Sequence, residues 1–305
     1  MKVSFWFLAF SSNTYMQKLT AESRRIRKSF PNPPLRDRRP LGQNSFPLPT
    51  LVMKRIPTLE LLDTDAGTPA EIAGSLADLR MINRWFGGVT TMVELIGRVA
   101  QACAAQQNNG APGVSARQTG DKHVAPRSLS LLDVASGSGY VPYSAREQFF
   151  RQGLELEVTL LDQAASHFCG VANDLVPPNR NGARFVVGSA LGLPFRDSSF
   201  DLVGSVLFAH HLGPDQLVRF VNESLRVCRK AVFINDLIRD PIHLALVYCG
   251  FPLYRSRLTR NDAPASVRQA YTQDEMRDIL SCTNAARVEI DSHYLYRMGV
   301  IAWKQ

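Results

Sequence analysis

Apolar residues recur at three- and four-residue spacing from Ile72 through Leu76, Leu79 and Ile82 to Phe86, the pattern of a helix with one buried face. Thr68 before Pro69, with Glu71 three residues on, forms a capping box at its start, and Gly87 with Gly88 ends it. "TTMVELIGRVAQACAA" carries a second helical pattern from about 90 to 105, and 106–128 reads as a connection. After Ser128 the pattern alternates. Strands are predicted over 129–134, 156–161, 184–188, 200–207, 230–236, 286–291 and 294–303. Helices are predicted over 142–152, 163–175, 214–227, roughly 240–255 and 272–281. Such alternation implies a parallel sheet covered on both faces. Only "DSHY" separates the last two strands, so they must pair as a hairpin. The expected fold is α/β: a Rossmann-like, seven-stranded, mostly parallel sheet with a C-terminal antiparallel hairpin and an N-terminal helical lead-in.

Composition changes this picture mainly at the N-terminus. A chain of 305 residues, 45% hydrophobic, is long enough to bury a full core. Residues 1–55 hold eleven Lys and Arg against Glu22 and Asp37, so this segment has a net charge of +9 within a chain of +8. The remainder sums to −1, which leaves no basic stripe for a nucleic-acid groove. "RRIRKSFPNPPLRDRRP" is basic and proline-rich, a composition for disorder. Residues 1–52 are therefore expected to be a basic extension. A solvated tail, a targeting peptide and upstream sequence before a working start at Met53 compete as explanations, with the last preferred. Residues 53–128 then form the lead-in and linker, and 129–305 the main domain. Five scattered cysteines form no CxxC pair, which excludes zinc spacing and points to buried, reduced thiols in a cytoplasmic setting. No metal is expected. No apolar run reaches the roughly 18 residues of a membrane span.

In an open parallel sheet, ligands lie beyond the carboxyl ends of the strands near the topological switch point. The first strand runs into "LLDVASGSGYVP", where Gly137 and Gly139 can take positive φ beside a ligand. A dinucleotide turn would need a third glycine where Pro142 stands, and no GK[ST] follows for a phosphate loop. Asp133, just before the glycines, suits a cationic group. Asp162 ends the second strand 23 residues after Gly139 and can accept from a ribose diol, or cap the following segment. Ser189 and Ala190 follow the third strand.

"LLDVASGSG", "FVVGSALGLPFRDSSFDLV" and their spacing to Asp162 resemble the class I S-adenosylmethionine-dependent methyltransferases over roughly 129–303. The resemblance implies S-adenosyl-L-methionine as cofactor. Its methionine part would lie on Asp133, Ala135, Gly137 and Gly139, its ribose on Asp162 and its adenine by Ser189 and Ala190. Ala135 replaces the usual first glycine, and Ser189 stands where an aspartate commonly takes the adenine amino group. A narrower similarity, carried by "LELLDTDAGTPAEIAGSLADLRMINRWFGG", "LFAHHL" and "INDLIRDPIHLALVY", is to a UbiE-like bacterial subgroup linked to aromatic polyketide or quinone-like small molecules.

Methyl transfer from a sulfonium is an in-line displacement, so an enzyme aligns the partners and excludes water. A hydroxyl acceptor must also lose a proton. His210 and His211, at the end of the fourth strand, are candidate bases. Adjacent strand residues point opposite ways, so one of them should reach the site, and His211 is preferred. Asn235 and Asp236 end the fifth strand and are candidates to orient substrate or base. Tyr248, Phe251, Tyr254, Arg239, Arg268, Trp85 and Phe86 are candidates for an aromatic-substrate lid. The expected activity is methyl transfer to a small, aromatic hydroxylated or quinone-like acceptor, on oxygen before carbon. An RNA-binding or RNA-modifying protein using its basic arm, and a cofactor-binding module without catalysis, are the alternatives.

Overall fold

A computed structural model describes residues 53–64, 67–109, 128–165 and 184–305. The extension 1–52, most of the connection after 109 and most of the helix predicted over 163–175 lie outside them. Residues Leu51–Gln305 cluster as one unit, which holds everything that follows.

The pattern after Ser128 produces one seven-stranded sheet. Its strands are β1 (Ser128–Val134), β2 (Glu155–Asp162), β3 (Arg184–Val187), β4 (Phe200–Val206), β5 (Cys228–Leu237), β6 (Arg287–His293) and β7 (Arg297–Trp303), in the order β3-β2-β1-β4-β5-β7-β6. The first five are parallel, and β7 runs antiparallel to both β5 and β6. The order reverses between β1 and β4, so the switch point lies where Asp133 and "ASGSG" emerge.

Among the described residues there are seven α-helices: α1 (Pro69–Trp85), α2 (Gly88–Asn109), α3 (Tyr140–Arg151), α4 (Pro214–Val227), α5 (Pro241–Cys249), α6 (Arg257–Gln269) and α7 (Gln273–Leu280). One face of the sheet is covered by α2 and α3, through Met92, Leu95, Ile96, Val99 and Phe149. The other is covered by α4 and α7, through Leu217, Phe220, Val221, Met276 and Leu280. Continuous apolar runs such as Ala231–Ile234 of β5 are what burial on both faces requires. The capping boxes Thr68/Glu71 and Thr272/Glu275 are both formed.

Two elements differ from the sequence expectation. The helix predicted to about 255 stops at Cys249; Gly250 and a 3₁₀ turn at Phe251–Leu253 follow it. A separate helix, α6, then forms over residues for which no element was predicted. Pro264 inside it forfeits one helical bond, and "RNDAPAS" offers little apolar period. Tertiary bonds support it: Asp78 of α1 accepts the backbone N–H groups of Arg255 and Ser256, and the Ser256 hydroxyl caps Leu258. Ahead of α1 the lead-in runs as a strap that ends in a 3₁₀ turn at Leu62–Thr64. Arg55 donates to the carbonyls of Gln269, His210 and Leu212, and Asp262 accepts from the N–H groups of Leu61 and Leu62. Of the four cysteines described, Cys103 and Cys228 are buried, whereas Cys249 and Cys282 are exposed, contrary to the expectation of buried thiols.

Candidate active site

A cavity of about 830 Å³ opens beyond the carboxyl ends of β1, β2 and β4, within the roughly 300–1,000 Å³ of small-molecule sites. One half is built from the sheet. β1 delivers Asp133, and the chain turns through Ala135 at φ 55°, Gly137 at φ 50° and Gly139 at φ 66° into α3. Asp133 is buried and its Oδ1 has no hydrogen-bond partner. Burial, aided by repulsion from Asp162, pushes its carboxyl well above the usual range. Asp162 accepts from Gly137 N at 2.8 Å and from Ala164 N at 3.0 Å, so it braces the turn and caps the next segment while still lining the cavity.

The two glycines do different work. A Cβ at Gly137 would meet nothing within 4 Å, so this residue leaves open room in the cavity. A Cβ at Gly139 would lie 2.4 Å from Leu160 Cδ1, so that glycine serves packing and does not line the cavity. Ala190 lines the cavity beside Gly188. Ser189 does not: it is exposed, and its hydroxyl accepts from Leu191 N at 3.2 Å.

The other half comes from the strap, α1, α5 and α6. Leu62, Leu76, Leu79, Phe86, Leu246 and Val247 give it an apolar lining. Its polar end is the histidine pair. β4 is followed by a 3₁₀ turn, Ala209–His211, so the two side chains do not alternate as they would on a strand. Their ring centroids are 4.2 Å apart and both line the cavity.

They differ in their surroundings. His210 Nδ1 lies 2.6 Å from Asp236 Oδ1, and its Nε2 3.5 Å from Glu60 Oε1, with no well-formed bond to it. Burial alone disfavours the imidazolium, but Asp236 and Glu60 outweigh it and push the pKa up to about 10. His210 therefore holds its proton at neutral pH. His211 is partly exposed, with Nδ1 2.9 Å from Asp63 Oδ2 and Nε2 4.0 Å from Glu60 Oε1. Glu60 and Asp63 are the residues that sequence reasoning missed. The signal was the run of acids in "LELLDTD", where Glu60, Asp63 and Asp65 interrupt three leucines.

Glu60, His210 and His211 bring one ligand atom each within 4.8 Å of one another, a spacing that suits a cation. The proton on His210 already supplies positive charge there, and Glu60 Oε1 accepts from Ser266 at 2.6 Å and Gln269 at 2.7 Å.

Several expected site residues are placed elsewhere. Asp236 is buried behind His210 and does not line the cavity. Asn235 donates to Gly88 O at 2.8 Å and ties α2 to the sheet. Arg239 is held by Glu275, Ala270 O and Met53 O, and so fastens the strap to α7. Trp85 is exposed beside Arg84, and Tyr248 is exposed with its hydroxyl on Arg268. None of these four lines the cavity, nor does Phe251; of the aromatic lid, only Phe86 and Tyr254 do. Tyr248 lies on the solvent side of α5, where Arg268 holds its hydroxyl at 2.6 Å.

Residues 132–234 match the profile of the family described as a methyltransferase domain. Among solved structures, a methyltransferase from Aquifex aeolicus is 18% identical, covers 58% of this chain and 82% of its own, and has a TM-score of 0.42. One from Methanosarcina mazei is 20% identical, covering 59% and 93%, with a TM-score of 0.40. Magnesium protoporphyrin IX methyltransferase from Synechocystis is 13% identical, covering 71% and 84%, with a TM-score of 0.43. No curated protein matches the sequence. The profile match is to a methyltransferase domain in general and does not distinguish the UbiE-like subgroup. A buried carboxylate oxygen without a partner, a second acid at the next strand end and the open space at Gly137 suit a ligand with a positive charge and a diol. Because the profile falls on the strands that build this cradle, the chain carries a methyltransferase domain and is an S-adenosyl-L-methionine-dependent enzyme.

Proposed function

We propose that the protein transfers a methyl group from S-adenosyl-L-methionine to a hydroxyl oxygen of a small aromatic or quinone-like acceptor. The carrying observation is that one cavity joins the Asp133 turn to an apolar chamber that ends at His211. The cofactor, when bound, supplies an electrophilic methyl on a sulfonium. Asp133 offers its unpartnered oxygen to the cofactor's positive charge, Asp162 receives the ribose, and Gly137 and Ala190 give the backbone approach. The apolar walls from α1 and α5 exclude water and hold a flat acceptor in line.

Asp63 sets the His211 imidazole by accepting from Nδ1, which leaves the Nε2 lone pair for the acceptor's proton. His210 acts as a fixed cation next to it, where it stabilises an acceptor oxygen that is becoming a phenolate. Asp236 is a positioning residue for His210. The two exposed free thiols fit a reducing, cytoplasmic setting.

The test is incubation with labelled cofactor and a panel of phenols, quinols and polyketide-like acids, with the product's methyl located by mass spectrometry and NMR. Label on a phenolic oxygen is expected. Label on a ring carbon would move the reading to carbon methylation. No label on any acceptor, with cofactor bound, would leave a binding module.

A further inference from the structure

The helix α5, "PIHLALVYC", is apolar on every side, a composition that normally means burial. Here only His243 is buried, through its bond to Ile238 O at 2.9 Å and its stacking on Tyr296. Ile242 is 61% exposed, Leu246 46%, Tyr248 44% and, on the turn that follows, Leu253 60%. Together they leave a contiguous stretch of apolar surface with no cover among the described residues. Contiguous exposed apolar patches mark interaction sites.

Two observations say what covers it. The first is continuity with the cavity: Leu246 and Leu253 face solvent and line the cavity as well, so the patch reaches its mouth. Phe86, which also lines the cavity, is exposed as well. Whatever enters by this mouth passes between apolar side chains. The second is charge. Arg255, Arg257 and Arg260 are exposed directly after the patch, and Arg268 reaches Tyr248 within it. Only Arg257 is paired, with Glu71; Arg255, Arg260 and Arg268 have no carboxylate partner among the described residues. An apolar surface bordered by unpaired cations is the complement of an anionic lipid surface, where apolar side chains enter the acyl boundary and cations stay at the headgroups.

We propose that α5 and the turn after it dock the mouth of the cavity onto an anionic lipid surface, and that the acceptor is a membrane-partitioned molecule with a hydroxylated aromatic head and an apolar tail. No helix of the described residues is long and apolar enough to cross a membrane, so the contact is interfacial. The docking stands apart from the methyl-transfer reading; the acceptor's character rests on it.

The experiment uses the full chain without cofactor or acceptor, so its failure is distinct from failure of the proposed reaction. Co-sedimentation is measured with vesicles of phosphatidylcholine alone and with one third phosphatidylglycerol. Preferential binding to the anionic vesicles is expected. The double variant Ile242→Glu/Tyr248→Glu, at residues outside the cavity lining, should weaken binding more than tenfold with an unchanged circular dichroism spectrum. Hydrogen exchange on the unaltered protein, which needs no variant, should show protection of residues 241–253 on vesicle addition. Three outcomes overturn the proposal. One is no binding to either vesicle. Another is equal binding by the variant with no protection of α5, which assigns the affinity to the basic N-terminal segment. The third is a dimer in light scattering that the variant dissolves, which assigns the patch to a second copy of the chain.

Discussion

The two halves of the cavity are built in different ways. The cofactor half is a property of the backbone: three consecutive strand ends, two acids at fixed register and a turn held in left-handed φ, all within Asp133–Ala190. The acceptor half is assembled from side chains of the strap at 53–64, α1, the 3₁₀ turn after β4, α5 and α6, which lie up to two hundred residues apart. The first can be set by short motifs, because adjacent parallel strands bring their ends together by topology. The second depends on how separate helices happen to pack. Damage to one half should therefore leave the other intact, and each substitution below tests that separation.

The largest effect is expected at His211. His211→Ala removes the proposed proton acceptor, and turnover should fall by roughly 10²–10⁴-fold, the range of general base catalysis. Cofactor affinity by calorimetry should stay the same, because His211 lies in the other half. A parallel loss of both would show that the halves are coupled and would undo the comparison.

Gly139 tests the framework shared by both. Gly139→Ala adds a methyl 2.4 Å from Leu160 Cδ1 in a left-handed residue. Left-handed strain and overpacking together should destabilise the protein by about 2–4 kcal/mol. The melting temperature should fall by roughly 5–15 °C. Gly137→Ala meets no neighbour, so it should melt closer to the parent yet bind cofactor less well. If the two variants melt alike, the division of labour between these glycines is wrong.

Asp133→Asn is the next largest and touches the cofactor half alone. Loss of a charge-assisted contact of about 1.5–3 kcal/mol should weaken S-adenosyl-L-methionine binding more than tenfold. The pH dependence has a definite sign. Burial and Asp162 raise the Asp133 pKa, so the free protein holds a proton there above the ordinary carboxylate value of 3.8. A cationic ligand favours the ionised form, so binding releases that proton and tightens as pH rises through the raised pKa. Stability of the ligand-free fold moves the opposite way: the folded state holds the proton more tightly, so stability is lost as pH rises from 3.8 through the folded value. Asp133→Asn should flatten both slopes, as calorimetry in two buffers of different ionisation heat and melting curves across pH would record.

What the sequence disclosed follows the same division. "LLDVASGSG", Asp162 and the alternation of strands and helices led to the sheet, its C-terminal hairpin and the Asp133 turn, because these follow from local period and chain topology. Ser189 shows the limit even there: its hydroxyl turns to its own backbone at Leu191, and Ala190 takes the place at the cavity. In the other half, Asp236 was legible as a polar residue at a strand end and Arg239 as a lid candidate, but not as the buried partners of His210 and Glu275. Glu60 and Asp63 were hidden because an extended strap has no period of its own; distant partners such as Asp262 and Gln269 fix it. Helix α6 was hidden by Pro264, a local penalty that the tertiary bonds of Asp78 offset.

Ala135 gives the smallest effect and the sharpest test of a backbone-built cofactor half. It is an alanine at φ 55°, where a left-handed L-residue is strained by roughly 1–2 kcal/mol, and glycine would relieve that. Glycine loses about 0.5–1 kcal/mol in return through the freedom of the unfolded chain. The turn is held by Ser136 N donating to Leu161 O at 3.1 Å and Gly139 N to Ser136 O at 2.8 Å, so the backbone should not move. Ala135→Gly should therefore stabilise by about 0.5–1 kcal/mol, a rise of a few degrees in melting temperature, with cofactor affinity unchanged. A loss of affinity with no change in melting would mean that the Ala135 methyl touches the cofactor, and this half would then owe part of its specificity to a side chain.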